Sequence, residues 1–227
     1  MLMLRMRVSG FAVVAVLGAV ARLWAPGMGH AQTLDIGGHV GLYAPVGPLI
    51  DGGSSADGTS LPQKRLLMAG LVGADAVVWA ATRFGFIASV AYAPSSVALT
   101  NSSGTTDHVG SVILASARVV FAFTRLTVGP DVVTGRRNTP WSFYVGTGAG
   151  LASRGGAVWA YSTGRASPAV VLNVGARTPL GPRSLMRLEL EDYVSRARFD
   201  KGLPGETPAR WHHDVVVALS FAFRAVR

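Results

Sequence analysis

The chain has 227 residues, a formal net charge of +9 and no cysteine, so neither a disulfide framework nor a thiolate metal site can form. Hydrophobic residues make up 49% and mean hydropathy is +0.37, yet no segment beyond the N-terminus is long and apolar enough for a membrane-spanning helix. The basic residues are scattered, without a patch in aromatic or helical context. We therefore expect no nucleic-acid partner, and only a mild affinity for anionic lipid headgroups.

The N-terminus has the features of a secretory signal peptide. Arg5 and Arg7 provide the positive start, residues 8–21 provide an apolar core, and Gly29 and Ala31 are small residues before a cleavage site at Gln32. The apolar run is shorter than the roughly 20 residues of a spanning helix, which argues against an uncleaved anchor. The sequence predicts a cleaved signal peptide over residues 1–31, export by the general secretory route, and a single domain over residues 32–227.

The rest of the chain alternates between two kinds of side chain. Over residues 211–224, odd positions such as Leu219 and Phe221 are mostly large and apolar, whereas even positions such as Asp214 and Ser220 are small or polar. Successive side chains of a strand point to opposite faces, so each such segment predicts a strand with one apolar and one polar face. Eight segments qualify: 34–43, 66–79, 83–92, 111–123, 141–151, 166–177, 185–195 and 211–224.

The connections between these segments differ in length in a regular way. Those over 44–64, 93–108, 152–165 and 196–210 are long and polar or rich in Gly and Pro, whereas 80–82 and 178–184 are short. Alternation of long and short connections is typical of strands that run up and down through a membrane. The connection 124–140 is the exception, because it is long where a short turn is expected. We expect Pro168 to shorten the sixth strand, and Trp79, Phe84, Tyr92, Phe123 and Trp141 to lie in aromatic girdles.

Four stretches carry a family resemblance: Val-Gly-Leu-Tyr-Ala-Pro at 40–45, Trp-Ser-Phe-Tyr-Val-Gly-Thr-Gly-Ala-Gly at 141–150, Leu-Glu-Leu-Glu-Asp-Tyr at 188–193 and Leu-Ser-Phe-Ala-Phe at 219–223. With them, the chain resembles the small eight-stranded outer-membrane β-barrels of Gram-negative bacteria, OmpA-like and OmpX-like. The resemblance implies an all-β, antiparallel, up-and-down transmembrane barrel in the cell envelope. It also implies a porin-like monomer, without cofactor, surrounded by outer-membrane lipids and folded by the barrel-assembly machinery.

Strand parity places a polar set inside such a barrel. This predicted interior network is structural and consists of Asp35, His39, Arg118, Asn173, Arg177, Arg187, Glu189, Glu191, His212 and Asp214. Three arginines against four carboxylates come near to balance, and an interior of eight strands is just wide enough for side chains to fill. Buried charges are tolerated when they are paired, so we expect ion pairs inside the barrel. The other hypothesis for the set is a narrow conductance path or a proton-linked switch through His39 and His212.

Candidate chemistry is sparse. Glu189 and Glu191 share one face of a strand, and ion pairing with Arg187 or Arg118 explains them better than acid–base catalysis. His212 and His213 point to opposite faces, so they do not form a metal site. His108 and Ser111 are the nearest approach to a catalytic pair, at a spacing that matches no motif.

The function predicted from the sequence is structural or surface-interacting and non-enzymatic, with no catalytic, cofactor or metal residues. A channel for small or hydrophobic compounds and a lipid-modifying outer-membrane enzyme are the alternatives. A soluble lipocalin-like barrel would need polar outer faces and an apolar interior, the inverse of this pattern.

Overall fold

A computed structural model describes residues 33–47, 53–54, 60–61, 63–80, 83–101, 104–127, 140–156, 159, 165–197 and 209–225. The chain divides into two units, Met1–Ala31 and Gln32–Arg227. The predicted signal peptide lies outside the described residues. In the second unit, eight strands form a closed antiparallel barrel, which confirms the predicted fold class.

Thirteen strands make up the described part of the chain. In chain order they are β1 (Thr33–Val46), β2 (Gly53–Ser54), β3 (Ser60–Leu61), β4 (Gln63–Leu66), β5 (Ala69–Trp79), β6 (Phe84–Ala93), β7 (Ser96–Asn101), β8 (Gly104–Val109), β9 (Ser111–Thr127), β10 (Pro140–Gly155), β11 (Ala166–Pro179), β12 (Ser184–Ala197) and β13 (Arg210–Ala225). Around the barrel the order is β1-β13-β12-β11-β10-β9-β6-β5. The last strand closes the ring on the first, with Leu219 opposite Val40.

The two ends of the barrel differ in their connections. Strand β6 follows β5, and β12 follows β11, after only a few residues at what we call the short-turn end, where β9 ends and β10 begins as well. At the opposite end, which we call the long-loop end, β1, β6, β10 and β12 end and β5, β9, β11 and β13 begin, mostly after longer sequence separations. An even number of strands brings both ends of the barrel domain to the short-turn end.

At the long-loop end, part of what the sequence predicted as loop is sheet. Strands β4, β7 and β8 form a three-stranded sheet that continues β5, β6 and β9 past residues 67–68, 94–95 and 110. Ser95 lies where this three-stranded sheet meets the barrel strands. Its hydroxyl donates to the Leu67 carbonyl at 2.7 Å, and its carbonyl accepts from Gly110 N at 2.8 Å. The prediction of a loop over 93–108 was wrong because cross-strand pairing, which local composition does not encode, extends the ladder.

The alternation of side chains follows the predicted parity. Buried and exposed residues alternate along β11, β12 and β13, and the outward row of β13 includes Val217, Leu219 and Phe221. Large apolar side chains are exposed on the outside of every barrel strand, which is far more apolar surface than a soluble monomer presents. This surface excludes the soluble lipocalin-like alternative.

Two local predictions were wrong. Trp79 is buried inside the barrel and so belongs to no girdle, because β5 carries its large side chains on its inward face. Pro168 does not shorten β11, which begins at Ala166. The ladder between β11 and β12 starts only at Ala169, so the missing N–H of Pro168 interrupts no hydrogen bond on the β12 side of β11.

Candidate functional site: the charged interior of the barrel

The inward rows of the barrel strands bring charged side chains together at mid-height. Asp75 on β5 accepts hydrogen bonds from Arg187 on β12 and from Ser220 on β13, the latter at 3.2 Å. His39 Nδ1 on β1 lies 3.1 Å from Asp75 Oδ2, the oxygen that also accepts from Ser220. One carboxylate therefore joins four strands, and Arg187 reaches it from three positions away around the ring.

A second group of charged side chains joins strands β9 and β12. Arg118 Nη1 on β9 is 2.7 Å from Glu191 Oε1 and 3.8 Å from Glu189 Oε1, both on β12. Glu189 Oε1 also accepts from the Tyr144 hydroxyl at 2.9 Å and from Asn173 Nδ2 at 3.4 Å. Because Arg187 lies two residues before Glu189 on the same inward face of β12, the two groups form one unit. We call it the central network: His39, Asp75, Arg118, Tyr144, Asn173, Arg187, Glu189, Glu191 and Ser220.

Small residues on neighbouring strands make room for these side chains. A Cβ added at Gly73 would collide with the His39 imidazole, and one added at Gly175 would lie 2.6 Å from the Tyr144 hydroxyl oxygen. The glycines allow two large inward side chains to lean across the strand beside them. The packing of the network therefore depends on glycine at both positions.

A separate ion pair lies nearer the long-loop end. Arg154 Nη2 on β10 is 2.6 Å from Asp214 Oδ2 on β13, and the Tyr43 hydroxyl donates to Asp214 Oδ1 at 2.6 Å. Arg154 Nη1 also donates to the Ser167 hydroxyl at 3.4 Å. His212 is buried two residues before Asp214 on the same face.

Asp35 and Arg177, at the short-turn end, do not join the central network. Asp35 Oδ1 is 3.3 Å from Nε of Arg224, whose side chain is 38% exposed at the rim. The Arg177 guanidinium stacks over the indole of Trp79, 3.5 Å from the ring centroid, a cation–π arrangement. The other eight predicted interior residues are buried, in the central network or around Asp214.

Apolar layers cover the central network on both sides. Toward the short-turn end lie Val77, Trp79, Ile87, Val120, Ala122 and Tyr144. Toward the long-loop end lies a larger cluster that includes Tyr43, Leu71, Leu114, Val171 and Val216, and extends to Leu66 and Val97 of the outer sheet. Charged groups inside the barrel are thus enclosed by apolar side chains as well as paired with each other.

Sequence reasoning missed two charged members of the interior, Asp75 and Arg154. Asp75 shares its parity with Leu71 and Trp79. That face of the segment combines a charged residue with large apolar ones, so the sequence did not indicate that Asp75 points inward. Arg154 lies beyond the predicted end of its strand at residue 151, although its even parity matches that of Tyr144. With these two, four interior arginines and Arg224 at the rim stand against five carboxylates, so the charges of the described interior balance.

The described histidines lie in no metal-binding or catalytic arrangement. His212 points inward, and His213 points outward with its Nδ1 2.8 Å from Asp192 Oδ2. No group of three or more His, Asp or Glu residues that could hold a metal ion occurs among the described residues. His108 lies on the exposed strand β8, where Nε2 is 3.4 Å from the Thr106 hydroxyl, so its hydrogen bond is not to Ser111.

No helix in the described part of the chain is long and apolar enough to cross a membrane. No protein-family model matches the chain, and no curated protein matches its sequence. A structure search does find similar folds. The outer membrane protein OprG from Pseudomonas aeruginosa superimposes with a TM-score of 0.59 at 13% identity, covering 89% of this chain and 100% of OprG.

Two further structures align over most of their length but superimpose less well. The outer membrane protein AlkL gives a TM-score of 0.40 at 14% identity, covering 88% of this chain and 90% of AlkL. Ail, the attachment invasion locus protein of Yersinia pestis, gives 0.38 at 12% identity, covering 86% of this chain and 97% of Ail. These scores are too low to carry an argument. The closed barrel of eight strands, its apolar outer surface and the likeness to OprG together show that the chain has the fold of the small eight-stranded outer-membrane β-barrels.

Proposed function

We propose that the chain is a non-enzymatic, monomeric protein of the outer membrane whose interior is closed by its own side chains. Its role is structural or depends on contacts made at its surface. The observation that supports this is the central network, whose ion pairs Asp75–Arg187 and Arg118–Glu191 each join strands three positions apart in the ring. With apolar layers above and below, such a network leaves little room for water.

The experiment is single-channel recording on the mature barrel after reconstitution into planar bilayers. A heat-dependent shift in gel mobility first establishes that the inserted protein is folded. Wild type is expected to give no discrete conductance steps. The double variant Arg118→Ser/Glu191→Ser removes two large side chains together with both of their charges, and is expected to conduct at least transiently. Steps in wild type of the size seen in the variant would overturn the closed interior.

A second function, a channel or binding site for hydrophobic compounds, has one observation in its favour. The interior at the long-loop end is filled by apolar and aromatic side chains, among them Leu71, Leu114 and Val171. In this function an apolar solute would displace part of this packing and would not meet the central network. Uptake of a fluorescent hydrophobic probe into vesicles containing the barrel, compared with empty vesicles, separates this function from a purely structural one.

A lipid-modifying enzyme has less support. Such an enzyme needs a nucleophile, a base and an orienting group within hydrogen-bond reach of each other. The described hydroxyl partner of His108 is Thr106, two residues along the same exposed strand. An assay for acyl transfer or deacylation of membrane lipids by the folded barrel tests this directly, and we expect no turnover.

A further inference from the structure

Two arginines lie directly opposite each other at the short-turn end of the ladder between β12 and β13. The register of that ladder ends with Ser184 opposite Phe223. One residue further, Arg183 lies opposite Arg224, and Arg224 N donates to the Arg183 carbonyl at 2.8 Å. Directly opposite residues of a ladder share one face of the sheet, with Cβ atoms about 5 Å apart. The two side chains therefore start close together on the same face.

That face is the one that lines the lumen of the barrel. Asp35 on β1 lies opposite Arg224 in the ladder on the other side of β13. Asp35 is buried inside the barrel, with 1% of its surface exposed. Arg183, Arg224 and Asp35 thus form a cross-strand row at the mouth of the lumen, which we call the mouth row.

The mouth row carries one positive charge more than it can pair. Asp35 Oδ1 lies 3.3 Å from Nε of Arg224, an interaction that uses one of the five donors of that guanidinium. Arg183 is exposed, and its side chain has no hydrogen bond or ion pair with the described residues. Each of the other four interior carboxylates already has an arginine within 3.8 Å. Because like charges directly opposite each other destabilise a ladder, an anion bound between the two arginines would remove a repulsion.

A further arginine adds to the positive potential of this mouth. Arg83 lies in the short connection before β6, across the ring from Arg183, and its exposed side chain also has no partner among the described residues. Arg177 faces inward at the same end, stacked on Trp79. Among the described side chains of this end, four arginines stand against one carboxylate, that of Asp35. A concave surface lined by one sign of charge concentrates ions of the opposite sign.

We propose that Arg183 and Arg224 bind a phosphate group at the mouth of the lumen. Guanidinium groups bind phosphate through paired, charge-assisted hydrogen bonds, and two of them on neighbouring strands can hold one group between them. A phosphate monoester carries about two negative charges at neutral pH, so it compensates the unpaired charge of Arg183 and part of the surrounding positive potential. The same chemistry occurs in soluble phosphate compounds and in phospholipid headgroups of the adjacent leaflet. Binding at the mouth does not require a closed interior.

The test measures how strongly the folded mature barrel, in a neutral detergent at constant ionic strength, broadens the phosphorus NMR line of inorganic phosphate. Wild type is expected to broaden the line. Arg183→Gln is expected to weaken binding about fivefold, the effect of losing one partly exposed charge contact. Its side chain has no described partner, so this variant is expected to fold as wild type does. Asp35→Asn removes the one carboxylate of the mouth row and is expected to strengthen binding.

The matched control is Arg65→Gln, which removes the same charge from an exposed position at the long-loop end. It is expected to bind phosphate as wild type does. Equal losses in Arg65→Gln and Arg183→Gln would mean that overall charge attracts the anion and would overturn the proposal, as would an unbroadened line with wild type. Addition of phosphatidylglycerol to the micelles distinguishes the two sources of phosphate. Displacement of inorganic phosphate supports a lipid headgroup as the ligand, and retention supports a soluble phosphate compound.

Discussion

Removal of the Asp75 charge is the sharpest test of the interior. In Asp75→Asn, the Arg187 guanidinium loses its ion-pair partner, at a site where both side chains are only 1% exposed. Breaking a buried pair by removing one partner costs about 3–5 kcal/mol, because the other charge remains buried without compensation. Asparagine still offers an oxygen to Ser220, so we expect about 3 kcal/mol, a large share of the 5–15 kcal/mol typical of a folded domain.

The assay is equilibrium urea unfolding of the mature barrel in detergent micelles, followed by tryptophan fluorescence. Asp192→Asn is the matched control, because it is the same substitution on the neighbouring outward surface. Its partner His213 is 44% exposed, so the loss there is expected to stay below about 1 kcal/mol.

A double variant separates charge from packing. Asp75→Leu/Arg187→Met removes both charges and keeps most of the volume, so it is expected to be more stable than Asp75→Asn alone. Equal losses in Asp75→Asn and Asp192→Asn would refute the assignment of Asp75 to the centre of the network. A double variant no more stable than the single one would show that volume, and not the unpaired guanidinium, dominates.

Three further predictions use the same unfolding measurement. Leu219→Arg, near mid-membrane on the lipid-facing row, should destabilise by about 2–4 kcal/mol, whereas Ala218→Ser on the inward face should be far milder; the reverse order would mean that the parity of β13 is wrong. Leu114→Ala in the apolar layer of the long-loop end should cost about 2–5 kcal/mol, and a value near zero would indicate that the layer is loosely packed. Tyr43→Phe removes one hydrogen bond to Asp214 and should cost about 1 kcal/mol; no change would mean that the 2.6 Å contact contributes nothing to stability.

The partners of the interior charges could not be read from the sequence. Glu189 and Glu191 each had two candidate partners, and the barrel pairs Glu191 with Arg118, while Arg187 binds Asp75 instead. The two members of each pair lie on strands three positions apart in the ring, so their meeting depends on the register of every ladder between them. A shift of two residues in one ladder would preserve the facing of every side chain and still change the pairs.

Inward and outward positions, in contrast, followed from the sequence wherever alternation was regular. Successive side chains of a strand must point to opposite faces, so the burial of Arg187 and the exposure of Leu188 follow from their neighbours alone. Eight such segments, with polar connections and apolar outward rows, were enough to predict a closed barrel of eight strands. The tertiary structure decided what alternation leaves open: the extension of the sheet by β4, β7 and β8, and the inward position of Trp79. Each of these depends on which distant strand lies alongside, and hydrogen bonding between strands far apart in sequence determines that.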